Sequence, residues 1–262
     1  MNKITFLLAA LLLLVSVKSN AQEDIKRECT IKYNLFKGDY QSKKYEEAYV
    51  NWIYLMDNCN DLSVNIYKFG SNLAEDVRKD PVLAKRVYEQ RLQYFPKKNP
   101  AKVHSDYATY LAKNKLVSED EIFSILEKGY MIDPTKMGVK NLYMYFQGVT
   151  DRNRDTNPQK VFDTYDDVLE NVTIKLEGYA AKLKKLTTDS TKVLGKREKS
   201  LLRAYTVNSK ALGTVESNLD VIISEIATCE RLVPLYQRDF EANKTNAVWL
   251  KRAVSRMFNK GC

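Results

Sequence analysis

One histidine, His104, nine glycines and six prolines are all that this 262-residue chain holds of those three types. A lone imidazole excludes a histidine-rich metal site and argues against histidine acid/base catalysis. So little glycine and proline argues against a fold of many tight β-turns. There is no glycine-rich phosphate loop, no Gly-x-Ser-x-Gly and no His-Glu-x-x-His, so the common signatures of phosphoryl, acyl and zinc chemistry are missing. Cys-x-x-Cys is missing too, which disfavours a zinc site or a redox-active dithiol. Hydrophobic residues make up 44% of the chain and charged residues 29%. That balance is too apolar for disorder and too polar for a membrane bundle.

The first 21 residues read as a separate object. Lys3 gives a short positive start, Ile4 to Val17 is an apolar run, and Ser19-Asn20-Ala21 places small residues where a signal peptidase cuts. This is the pattern of a secretory signal, and the run is short for a membrane span. The expectation is an exported protein, periplasmic or secreted, cleaved near Ala21-Gln22, with no transmembrane segment after signal removal. The pattern leans toward a Gram-negative periplasm. The formal charge is +9, and loss of Lys3 and Lys18 leaves +7.

Four cysteines, Cys29, Cys59, Cys229 and Cys262, remain. Export implies an oxidising compartment, so an even count suggests disulfides. Their spacings favour Cys29–Cys59 and Cys229–Cys262, because each pair flanks a segment that reads as two helices. Antiparallel helices bring the start of the first near the end of the second. Each bridge would add about 3 kcal/mol by restricting the unfolded chain.

Helical periodicity dominates what remains, and the fold class expected is all-α. Ala48, Trp52 and Leu55 share one face, as do Ile66, Phe69, Gly70 and Leu73, and then Ala84, Tyr88 and Leu92. Ser118 with Glu121 reads as a capping box. The helix-ending markers Asn58, Pro96 and Pro134 recur every 38 residues, and a period of this size marks a repeat architecture.

Those residues carry a resemblance. Tyr45, Ala48 and Trp52, then Ile66, Phe69, Gly70 and Leu73, then Ala84, Tyr88 and Pro96, and more loosely Leu126, Gly129 and Pro134, are similar to the tetratricopeptide repeat. It covers roughly residues 29–150. The unit here is 38 residues rather than about 34, and Asn60 stands where proline is usual. The resemblance implies an α-α superhelix, a TPR-like solenoid, over 22–156. By repeat position it also implies a concave groove lined by Tyr33, Lys37, Tyr67, Ser71, Lys102, Ser105 and Thr109.

From Asn157 onward the pattern changes. Val161, Tyr165, Val168, Val172, Leu176, Tyr179, Leu183 and Leu186 step by three or four, and a second such run extends from Leu201 to Cys229. These are coiled-coil seams. They predict a long antiparallel helical hairpin over 157–229, with arms 159–186 and 200–228, each about 40 Å long. A terminal helical hairpin follows over 230–262, which either caps the solenoid or docks on a partner. The tip of the long hairpin is basic. Lys185, Lys192, Lys196, Arg197 and Lys199 lie there with Lys182, Lys184 and Arg203, against Asp189 and Glu198. Such a tip attracts an acidic partner or an anionic surface; nucleic acid is not expected in an exported protein without a recognition motif. His104, flanked by Val103 and Tyr107, reads as a packing or surface residue. Acidic neighbours such as Asp166 and Asp167 read as helix-surface charges.

The function expected is a non-enzymatic scaffold of the cell envelope, holding a protein or peptide partner on the repeat groove, without catalytic residues, metal or cofactor. A periplasmic holdase working through the basic arm is the alternative. An envelope enzyme would need two facing carboxylates that nothing in the pattern nominates.

Overall fold

The computed structural model describes residues 24–188 and 193–262; the expected leader and Lys192 lie outside them, and the side chain of Val248 is not described. Among the described residues there are eleven α-helices and no strand. They are α1 (24–41), α2 (Tyr45–Asn58), α3 (Asn65–Asn72, continued by a π-helical turn Leu73–Arg78), α4 (Pro81–Tyr94), α5 (Pro100–Asn114) and α6 (Glu119–Ile132). After a 3₁₀ turn, Pro134–Lys136, come α7 (Val139–Asn153), α8 (Pro158–Thr187), α9 (Lys196–Ile226), α10 (Cys229–Asn243) and α11 (Ala247–Asn259). No helix is long and apolar enough to cross a membrane among these residues. The chain divides into two compact units between Val103 and His104.

Local chemistry starts and stops these helices. Asp80 accepts hydrogen bonds from the amides of Val82 and Leu83, with Pro81 pre-set for the first turn. Ser118 caps α6 by accepting from the amide of Glu121. Asn157 caps α8 by accepting from the amide of Lys160, ahead of Pro158. Helix ends that glycine would usually make are instead made by Lys43, Lys79 and Lys115, all with positive φ. The scarcity of glycine is therefore met by strained lysines, each at a modest cost.

In the first unit the core gathers around Trp52. Its indole donates to the carbonyl of Ile66 over 2.8 Å. A Cβ on Gly70 would stand 2.4 Å from that indole nitrogen, so only glycine lets α3 approach α2 this closely. Phe36, Leu55, Met56 and Tyr67 fill the surroundings and are fully buried. Cys29 and Cys59 pair at disulfide distance, with Cα atoms 5.8 Å apart, and both are buried.

The second unit is built on α8 and α9. Tyr165 contacts Asp220, and Tyr179 contacts Tyr205. As position rises along α8 it falls along α9, so the two helices run antiparallel. The first half of α8 packs on α7 through Phe146 and Tyr165. Buried positions stop at Val172 on α8 and begin at Leu212 on α9. Beyond them the hairpin continues as a solvated arm. Cys229 and Cys262 pair with Cα atoms 5.4 Å apart, tying the start of α10 to the residues after α11. Both cysteine pairings are those expected from the spacings.

Candidate functional site

Two of the groove residues expected from repeat position, Tyr67 and Ser105, are buried. Tyr67 is fully buried and its hydroxyl donates to the carbonyl of Asn60 over 2.8 Å. Burial pushes its pKa above the ordinary tyrosine value. Its ring edge meets Phe95, because α3 is covered by α4 as well as by α2. Ser105 is buried as well. Asn141 donates from Nδ2 to the Ser105 carbonyl (2.6 Å), the Ser105 hydroxyl (2.5 Å) and the Thr109 hydroxyl (2.9 Å). Ser105 also accepts from the amide of Gly138 over 2.8 Å. Tyr67 and Ser105 are thus buried and hold helices together rather than meet a partner, which corrects the expectation for them, whereas Thr109 is exposed. Tyr33 is half-buried and accepts from Ser63 and Asn65. Ser71 donates to the carbonyl of Lys68 within its own helix. Lys37 is half-buried and Lys102 exposed.

At the arm, Lys185, Lys196, Arg197 and Lys199 are exposed. Below the tip, the ammonium of Lys182 lies 5.4 Å from both the Tyr179 and Tyr205 rings, a contact favoured by the negative faces of the rings.

A concavity lies elsewhere, between α9 and α11. It encloses about 730 Å³ over a floor of Tyr165, Ile223 and Ala227. One wall is a stripe of α9: Glu216, Asp220 and Ser224, spaced i, i+4, i+8. The opposite wall is α11, with Lys251, Ser255 and Asn259 on one stripe and Arg252, Arg256 and Lys260 on the next. One end is closed where the Lys260 ammonium donates to the Ser224 carbonyl over 2.6 Å.

Beneath the cleft sits a polar cluster. The Arg256 guanidinium lies 4.1 Å over the Tyr165 ring. It donates to the Tyr236 hydroxyl over 3.0 Å and stands 3.5 Å from the Asp166 carboxylate. Tyr165 donates to Asp220. Burial pushes the Asp166 carboxyl above the usual range, although Arg256 and Arg252 pull it back. Burial likewise raises Tyr165 and Tyr236. Asp166 is therefore no simple surface charge, as its sequence neighbourhood suggested; it answers an arginine ninety residues away in the chain.

A second concavity, of about 530 Å³, lies on the other flank of α11. Asp163, Asp166, Asp167, Glu170, Glu177 and Asp239 line it, with Trp249 and a shared Arg252. Burial, then Glu170 and Asp163, hold the Asp167 carboxyl above its ordinary range. Even so, no group of His, Cys, Asp and Glu among the described residues is placed to hold a metal ion.

Sequence reasoning missed the α9–α11 cleft. One signal was present: Arg252, Arg256 and Lys260 repeat at helical spacing within the terminal hairpin. The pattern could not tell that this stripe faces Glu216 and Asp220. Chemically, the cleft offers fixed charges of both signs on facing walls above a partly apolar floor. That is suited to recognition of a charged polypeptide surface. Comparison with protein families, curated proteins and solved structures finds nothing that matches this chain.

Proposed function

We propose that this chain is an exported, non-enzymatic interaction module of the cell envelope, assembled from TPR-like helical hairpins, that holds a protein or peptide partner in the α9–α11 cleft. The observation that carries this is the cleft itself: Lys251 and Arg252 on one wall, Glu216 and Asp220 on the other, with no ion pair between the walls among the described residues. Glu216 and Lys251, which face each other without an ion pair, are charges that a complementary partner would satisfy. Two cysteine pairs at disulfide distance are compatible with an oxidising compartment. The absence of nucleophile, phosphate-loop and zinc signatures in the sequence favours binding over chemistry.

The test is a photo-crosslinking residue at Ser255 in whole cells, with and without Lys251→Glu. The reading expects one dominant envelope protein, lost in the Lys251→Glu background. No capture at Ser255 would overturn it. The exposed basic arm supports a second reading, a holdase for unfolded clients. That reading expects many unrelated proteins caught by the same probe at Lys196, and few at Ser255.

A further inference from the structure

We infer that the α9–α11 cleft seats an amphipathic helix of a partner protein, with acidic residues at i, i+4 along the edge facing α11 and basic residues along the edge facing α9. This rests on the interaction-module reading and names what the partner presents.

The walls carry opposite charge yet stay apart. Glu216 has no partner among the described residues, and Asp220 is met by the hydroxyl of Tyr165. Lys251 and Arg252 line the opposite wall; Lys251 makes no ion pair among the described residues, whereas Arg252 is shared with the acidic concavity on the other flank of α11 and acts on Asp166 there. The floor between them, Tyr165, Ile223 and Ala227, is largely apolar. An occupant must therefore direct side chains three ways: to an acidic wall, to a basic wall and to an apolar floor. A strand projects its side chains in two opposite directions, whereas a helix spreads them at about 100° steps and fills all three sectors. The spacing agrees. Glu216, Asp220 and Ser224 recur every four residues along α9, as Lys251, Ser255 and Asn259 do along α11, a rise of about 6 Å per step. The residues lining α9 span about 16 Å of helix and those lining α11 about 20 Å, or roughly three turns of an occupant. Lys260, bonded to the Ser224 carbonyl, stops the occupant at one end.

The experiment uses the mature chain and synthetic peptides of about 18 residues, long enough to sustain helix on a surface. One peptide has Glu at i, i+4, i+8 on one edge, Lys on the other and Leu between. A second has the same composition with the charges scrambled, and a third has Lys on both edges. Binding is read by fluorescence anisotropy, and helix formation by circular dichroism. The charge-paired peptide is expected to bind at least tenfold more tightly than the scramble and to gain helicity. Lys251→Glu with Ser255→Glu makes the Lys251–Ser255–Asn259 stripe of α11 acidic, like the facing stripe of α9, with Arg252 kept at its flank; both positions are exposed, so the fold should be kept, and unfolding curves check this. In that variant the preference should pass to the peptide with Lys on both edges.

Equal binding of paired and scrambled peptides, binding without helix gain, or an unchanged preference in the variant would each overturn the inference. Self-association of the chain alone, blocked by Lys251→Glu, would assign the cleft to a second copy and overturn it as well. Crosslinking at Ser255 separates the two levels. Capture there with no peptide preference keeps the interaction module and removes the helix. No capture there removes the module reading itself.

Discussion

Replacing Asn141 with alanine tests whether the serine and threonine on α5 are structural. Asn141 is buried on α7 and its amide reaches Ser105 and Thr109 on α5. Two amide hydrogens serve three acceptors, so the loss amounts to about two good hydrogen bonds, each worth about 1 kcal/mol net. The Ser105 hydroxyl keeps the Gly138 amide, and its carbonyl keeps Thr109, so few groups are orphaned. The vacated volume adds about 1 kcal/mol. The expected loss is about 3 kcal/mol, a fall in Tm of roughly 6–12 °C for a unit of this size. Urea and thermal unfolding followed by circular dichroism measure it. Asn141→Asp should cost more, because a buried carboxylate would face the Ser105 carbonyl. A change below about 0.5 kcal/mol for Asn141→Ala would refute the assignment.

Three further outcomes follow from the geometry. Gly70→Ala should destabilise the first unit by about 1–3 kcal/mol through overpacking and shift the Trp52 emission, because the added methyl meets the indole; unfolding and fluorescence spectra check both. Under graded reductant, the half-exposed Cys229 and exposed Cys262 should be alkylated before the buried Cys29 and Cys59, as mass spectrometry of trapped thiols would reveal; the reverse order would contradict the burial pattern. Burial, and then Lys128, hold the His104 pKa below its ordinary value. Its neutral form is thus favoured on folding, and stability should be full above about pH 6.5 and fall as pH drops below it. His104→Gln should lessen that fall between pH 7.5 and 5.5 in urea unfolding curves.

What was legible in the sequence was local or periodic. The Ser118 cap and the long runs of α8 and α9 are statements about neighbours on one helix. The cysteine pairing was legible because an antiparallel hairpin turns a separation of about thirty residues into proximity. Tyr67 was misplaced because a helix covered on two sides buries adjacent residues such as Ile66 and Tyr67 together, so a single inward stripe is too narrow a rule. Turns built on Lys79 and Lys115 carried no glycine to announce them. The cleft was hidden for another reason. Glu216 and Lys251 sit on different hairpins, and only the way α10 and α11 fold back beside α8 and α9 brings them face to face.

Hydrogen exchange tests most directly whether the α9–α11 cleft is a binding seat. The chain is compared alone and with the charge-paired peptide in excess. Slowed exchange confined to residues 216–227 and 247–260 is the predicted result. Protection centred on the arm around 182–203 or on α2 to α4, or none anywhere, would contradict it.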